Sequence, residues 1–113
     1  MIKDYISWTD FDKVEMRVGT IINAVEFEEA IKPAYKITVD FGKYGIKKTS
    51  AQITKLYKIE DLKGRQIIAV INFAPKQIAN FMSEFLILGV MGDEKEVTLI
   101  QPTNKTSNGR RVQ

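Results

Sequence analysis

The sequence predicts an all-β domain closed into a five-stranded barrel, and three observations carry that expectation. Short apolar runs rich in β-branched residues recur along the 113 residues, each the length of a strand and too short for a buried helix. Turn residues punctuate them. Only two brief stretches show helical spacing.

Residues 1–13 carry Tyr5, Ile6, Trp8 and Phe11, more apolar side chains than a disordered end holds. Thr9 with Asp12 three positions on has the spacing of a cap, so this segment reads as a short helical extension. Residues 14–27 form the first strand, with Val14, Met16 and Val18 alternating against Glu15 and Arg17 until Gly19 interrupts. A glycine there predicts a bulge or sharp bend that lets the strand curl and pair on both sides. Residues 26–33 are a loop, acidic first and then basic at Lys32. In residues 34–42, Tyr35, Ile37, Val39 and Phe41 face one way and Lys36, Thr38 and Asp40 the other, the pattern of a half-exposed second strand.

Tyr44 and Gly45 make a turn into a third strand, where Lys47, Lys48, Thr49 and Ser50 ask for a solvated side. Leu56, Ile59 and Leu62 are spaced as on a helix that Gly64 stops. The fourth strand, residues 65–72, holds the apolar run 67–71, which reads as covered on both faces. Residues 72–83 then form a loop in which Lys76, Gln77, Asn80 and Ser83 are mixed with Phe73, Pro75, Phe81 and Met82. Pro75 ends the preceding strand. A loop tucked onto its own barrel and a binding loop held between rigid strands both fit that mixture. Residues 84–91 are the fifth strand, 85–88 reading as buried like 67–71. An acidic turn at 92–96 leads to a last apolar strand at 97–100. Residues 102–113 carry Asn108 and Gly109, a tight-turn signal for a small C-terminal hairpin.

The order strand, strand, strand, helix, strand, strand in a single domain is that of the OB-fold, a Greek-key barrel with its helix between the third and fourth strands. OB-folds bind oligonucleotides with the loops joining strands one to two and four to five. Here these are the loops around Lys32 and Lys76. Net charge is only +3, yet residues 32–76 carry ten basic side chains against three acidic, while residues 1–31 carry three against seven. A basic middle section predicts a directed electrostatic face, although lysines spread over a solvated surface give the same count.

Histidine and cysteine are both absent, which removes Ser/His and Cys/His nucleophile pairs, N/S-ligated zinc sites and disulfides. The expectation is a binding protein, with no catalytic residue, metal or cofactor. No apolar run reaches the length of a membrane span, and the start lacks the features of a signal peptide, so a cytoplasmic protein without membrane insertion is expected.

Seven blocks in register, VEMRVGT (14–20), KPAYKITVDFG (32–42), SAQI (50–53), LKGRQ (62–66), VINF (70–73), PKQI (75–78) and FMSE (81–84), resemble the tRNA-binding-domain family, and within it the small CsaA-type members. The family also includes appended domains of methionyl- and phenylalanyl-tRNA synthetases. The resemblance departs at Thr106 and Ser107, where relatives usually have an apolar residue and proline. It implies a homodimer of OB-folds that binds tRNA by its shape. For CsaA-type members it implies an export-related chaperone whose partners are unfolded preproteins or export machinery.

Carried over by position, the RNA-binding face takes in Lys32, Lys36, Lys48, Ser50, Asn72, Lys76, Gln77, Met82 and Ser83. The lysines would meet phosphates. Ser50, Asn72, Gln77 and Ser83 would hydrogen-bond 2′-hydroxyls or base edges. Phe73, Phe81 and Met82 offer a surface for stacking an unpaired base, with core packing the competing role for Phe81. On the chaperone reading, Phe73, Ile78, Phe81 and Met82 bind peptide. The dimer contact is assigned to Trp8, Phe11, Val97 and Leu99.

Overall fold

The computed structural model describes residues 2–113; Met1, the first residue of the expected N-terminal extension, lies outside them. Strands β1 (Met16–Glu26), β2 (Tyr35–Asp40), β3 (Ile46–Ala51) and β4 (Gln66–Val70) form an antiparallel sheet with the two-residue β7 (Leu86–Ile87), in the order β3-β2-β1-β4-β7. The sheet curls until β3 meets the chain just before β7, where the Glu84 N–H donates to the Lys48 carbonyl at 2.8 Å. This is the nearly closed OB barrel that the order of elements predicts.

Closure depends on β1. Its residues Met16–Thr20 pair with β4 while Thr20–Glu26 pair with β2, so it must bend halfway. The register slips between Ile21 and Asn23, which places the bulge just beyond Gly19 and not on it. Gly19 serves a different purpose. A Cβ at Gly19 would overlap the Val39 side chain and come within 2.7 and 2.8 Å of the Phe41 ring, so the glycine lets β2 side chains cross over the bend.

The core follows the alternation read from β2. Ile37, Val39 and Phe41 are fully buried and Tyr35 nearly so. They meet Ile21 from β1, Ile67 and Ala69 from β4, and Phe85, whose ring lies edge-on to Phe41 at 4.9 Å. Strand β4 is covered on both faces as expected. The run 85–88 is not, because Phe85 is buried whereas Leu86 is exposed.

Between β3 and β4 the expected helix is only a 3-10 turn, Ile59–Asp61. A segment this short has little helical stability of its own, and tertiary bonds claim it first. Tyr35 donates its hydroxyl to the Tyr57 carbonyl at 2.8 Å, and the Tyr57 hydroxyl accepts the Leu99 N–H at 2.9 Å. Leu62 plugs the barrel while Leu56 is exposed. Burial, then the negative charges of Glu26, Glu60 and Asp61, raise the Tyr35 pKa above that of a free phenol. The neutral phenol is therefore favoured by folding, and its contribution is lost as pH rises above the unfolded value of about 10.

Helix α1 (Trp8–Asp12) is present, but its cap is Ser7, whose side chain accepts the Asp10 N–H while Asp10 accepts the Ser7 N–H. The Thr9/Asp12 spacing lies two residues too late. Residues 72–83, read as loop, contain a hairpin of β5 (Lys76–Ile78) and β6 (Phe81–Ser83) that turns at Ala79, φ 52°. The expected last strands form their own ribbon, β8 (Gly89–Met91) with β9 (Val97–Leu99).

The C-terminal residues turn at Asn108 and Gly109 but pair with β1 instead of with the segment before the turn. Gly109 N–H donates to the Val18 carbonyl, Val18 N–H to Arg110, and Val112 N–H to Met16. Side chains lock this strip. The Gln66 amide donates to the Thr106 carbonyl at 2.6 Å and accepts its N–H at 3.1 Å, and Arg17 donates to the Gly109 carbonyl at 3.1 Å while lying 4.3 Å from the Tyr44 ring centre. The expected hairpin fails because the edge of β1 that β2 leaves free offers these bonds to the tail.

Gly19→Ala should lower stability by ~1–3 kcal/mol through overpacking against Val39 and Phe41, measured as a shift in the urea midpoint. A midpoint equal to that of the parent protein would refute the crossing argument.

Candidate nucleic-acid interface

The register of β2 and β3 builds the centre of the site. Lys36 lies opposite Ser50 and Thr38 opposite Lys48, and strand alternation puts all four on the outer face of the ribbon while Ile37 and Thr49 point inward. The loop 27–34, carrying Lys32, and the β5–β6 hairpin, carrying Lys76, border this face. Lys32, Lys48 and Lys76 are exposed, and none forms an ion pair among the described residues. Lys36 differs, being half-buried and 3.6 Å from Glu29.

The hairpin is rooted on β3 by one buried hydroxyl. Residues 47–50 were expected to need solvent, yet Thr49 is 1% exposed. It donates to the Phe85 carbonyl at 2.7 Å, and the Ser83 hydroxyl lies 2.7 Å from the Thr49 hydroxyl oxygen. The burial is tolerated because the hydroxyl has partners. Ser83 is thereby a post at the root of the hairpin.

Within the hairpin, Ile78 faces Phe81 and Lys76 faces Ser83, while Gln77 pairs with Met82 on the opposite side. Met82 and Phe73 are about half exposed. Phe81 turns inward and meets the Phe27 ring edge-on at 5.4 Å, so packing is its first role. Ile78 is half-buried as well. The four residues read as a peptide surface are thus divided between the two faces of the hairpin and the loop before it. Gln77 reaches only its own turn, donating to the Ala79 carbonyl at 3.1 Å.

Asn72 is committed elsewhere. Its amide donates to the Lys13 carbonyl at 2.6 Å and accepts the Glu15 N–H at 3.0 Å, which ties the chain leaving α1 to the end of β4. Both ends of the amide carry backbone groups, so holding these two segments together is a role that the sequence reading did not give it. Leu99 also leaves its assigned set, because it sits in the core of its own chain, and Val97 is half-buried against that core. Phe11 is half-buried and Trp8 is 86% exposed.

A groove of about 680 Å³ opens between loop 27–34, the end of β3, the hairpin tip and the β7–β8 segment. Ile31, Leu86 and Met91 line it and are exposed, with Lys32 and Ser50 at its rim. Sequence reading missed Leu86, which falls in the run read as buried, and Met91, at the end of the same expected strand; that strand breaks in two and leaves both exposed.

Comparison with known proteins agrees with this fold. Residues 16–111 match the profile of the family described as "Putative tRNA binding domain". The chain belongs to this family. The crystal structure of chaperone CsaA from Bacillus anthracis superposes with a TM-score of 0.93 at 44% identity, covering 97% of this chain and 100% of that one. The CsaA chaperone protein from Picrophilus torridus does so with a TM-score of 0.90 at 46% identity, covering 96% and 100%. Methionine–tRNA ligase of Pelodictyon phaeoclathratiforme is 34% identical over 111 residues, which are 98% of this chain and 16% of the ligase. The chain therefore spans about a sixth of the length of that relative. Among the described residues no helix is long and apolar enough to cross a membrane.

Thr49→Val keeps the shape but removes the hydroxyl, leaving the Phe85 carbonyl without its donor. It should cost ~1–3 kcal/mol, read by denaturant unfolding, and speed amide exchange at Glu84. Exchange at Glu84 that stays at the parent rate would contradict its role as the hairpin root.

Proposed function

We propose that the chain binds tRNA as a cytoplasmic homodimer and performs no chemistry on it, using the outer face of β2–β3 between loop 27–34 and the β5–β6 hairpin. The observation that carries this reading is the outer face of β3 on which strand alternation sets Lys48 and Ser50 together, flanked by Lys32 and Lys76, which are unpaired among the described residues, in a chain of the tRNA-binding-domain family. Flexible ammonium groups meet phosphates as point charges. Ser50 and Gln77 supply hydrogen bonds for 2′-hydroxyls, and the exposed Phe73 and Met82 supply surface for an unstacked base.

Such binding releases counterions and weakens steeply with salt, by about 0.9 in log–log slope for each duplex phosphate neutralised. In a titration of labelled tRNA at increasing salt, Lys76→Ala should reduce the slope by about one. A flat salt response of the parent protein would overturn the reading.

A second reading is favoured by the groove beside Leu86 and Met91 and by the chaperone names of the two similar structures. Aliphatic side chains exposed in a concave site suit segments of unfolded polypeptide, as preproteins would present. This function would tolerate salt. Leu86→Ser should then impair suppression of client aggregation on heating at equimolar ratio while leaving tRNA binding within about twofold of the parent, since Leu86 carries no charge. Failure of the parent protein to suppress aggregation would remove this reading.

For the dimer, Tyr5, Ile6 and Trp8 form an apolar N-terminal segment that the barrel leaves exposed, and an isologous contact would bury it twice. Sedimentation at micromolar concentration should show a dimer that Trp8→Ala weakens, and a monomeric parent protein would count against the assignment.

A further inference from the structure

Lys36 stands among the candidate phosphate contacts by position, but its surroundings differ from those of the other lysines. Its ammonium lies 4.9 Å from the centre of the Phe27 ring and 5.5 Å from that of Phe81, with the Glu29 carboxylate at 3.6 Å. Its side chain is 27% exposed. Phe27 and Glu29 belong to loop 27–34 and Phe81 to β6, and the two rings also touch each other. One cation therefore contacts both loops that border the proposed interface.

Near its tip the hairpin is held by this cation and by the edge-on contact of the two rings beneath it. Among the described residues, its hydrogen bonds to the rest of the chain are at the root, through Ser83 and Glu84. Beyond that root, two short strands are held by their own ladder, and isolated hairpins are marginal in water. A cation over an aromatic face strengthens as it is desolvated, and Lys36 is desolvated on two sides. A phosphate approaching it would have to displace Glu29 against like-charge repulsion.

We infer that Lys36 is a positioning residue that joins loop 27–34 to the β5–β6 hairpin and so fixes the width of the groove between them, in place of contacting a phosphate. Phe27, Ile78 and Ala79 all line that groove, so a hairpin tip released from Lys36 would change its shape. The RNA part of the test rests on the tRNA reading; the loop-joining part does not.

Two variants separate the roles. Lys36→Met keeps the aliphatic stem and removes the charge, while Lys36→Arg keeps a cation for both rings. In the free protein, amide exchange at Ile78 and Phe81 should rise about tenfold in Lys36→Met, as the tip opens more often, and stay within about twofold of the parent in Lys36→Arg. Phe81→Leu, which removes one ring, should raise exchange at Ile78 in the same way. With tRNA, Lys36→Met should weaken affinity about fivefold while the salt slope stays unchanged, unlike Lys76→Ala. Unchanged exchange in Lys36→Met overturns the inference whether or not tRNA binds. A slope reduced by about one overturns it too, because Lys36 would then neutralise a phosphate.

Discussion

Strand β1 serves three partners along its eleven residues, β4 on one edge and both β2 and the C-terminal tail on the other. A straight strand cannot do this. The tail takes Met16–Val18 and β2 takes the residues from Thr20 onward, so the change of partner falls on Gly19, where a side chain would collide with Val39 and Phe41. Because the strand bends there, β4 and β2 leave it in different directions and the sheet can close. Gly109 repeats the logic at the crossing of the tail. Its φ is 91° and the Phe41 carbonyl lies 2.7 Å from where a Cβ would stand, so only glycine keeps the tail against the barrel.

With the barrel closed, the site is assembled from pieces of different rigidity. The β2–β3 ribbon is fixed by its ladder and by the core beneath it, so Lys48 and Ser50 are presented at set positions. The hairpin is a smaller unit fastened at its root by the Thr49 hydroxyl and near its tip by Phe81 and Lys36. Loop 27–34 is fastened through Phe27, which is 3% exposed. Aromatic residues that looked like a stacking surface are therefore divided. Phe27 and Phe81 hold the loops, and Phe73 with Met82 remains displayed.

Electrostatics and apolar surface occupy neighbouring parts of one molecule. The free lysines sit on the ribbon and on the rims of the loops, while Ile31, Leu86 and Met91 lie in the groove between the loops. Long-range attraction between lysines and phosphate falls with salt, whereas contact with the groove does not. The two proposed ligands thus draw on separable forces even where they share a border.

The sequence by itself determined the strands whose burial repeats every second residue. Tyr35, Ile37, Val39 and Phe41 announced β2, the run after Gln66 announced β4, and the positions of the two connecting loops followed. It also determined the chemistry left out by the absence of histidine and cysteine. Only the tertiary structure decided that Leu56, Ile59 and Leu62 make no α-helix, that residues 72–83 hold a hairpin, that the tail joins β1, and that Asn72, Lys36 and Ser83 have partners within the chain. The physical reason is the same in each case. Periodicity reports which face of a segment seeks the core, while the partner of a hydroxyl, an amide or an ammonium group is set by whatever distant residue the closed barrel brings within about 3 to 6 Å.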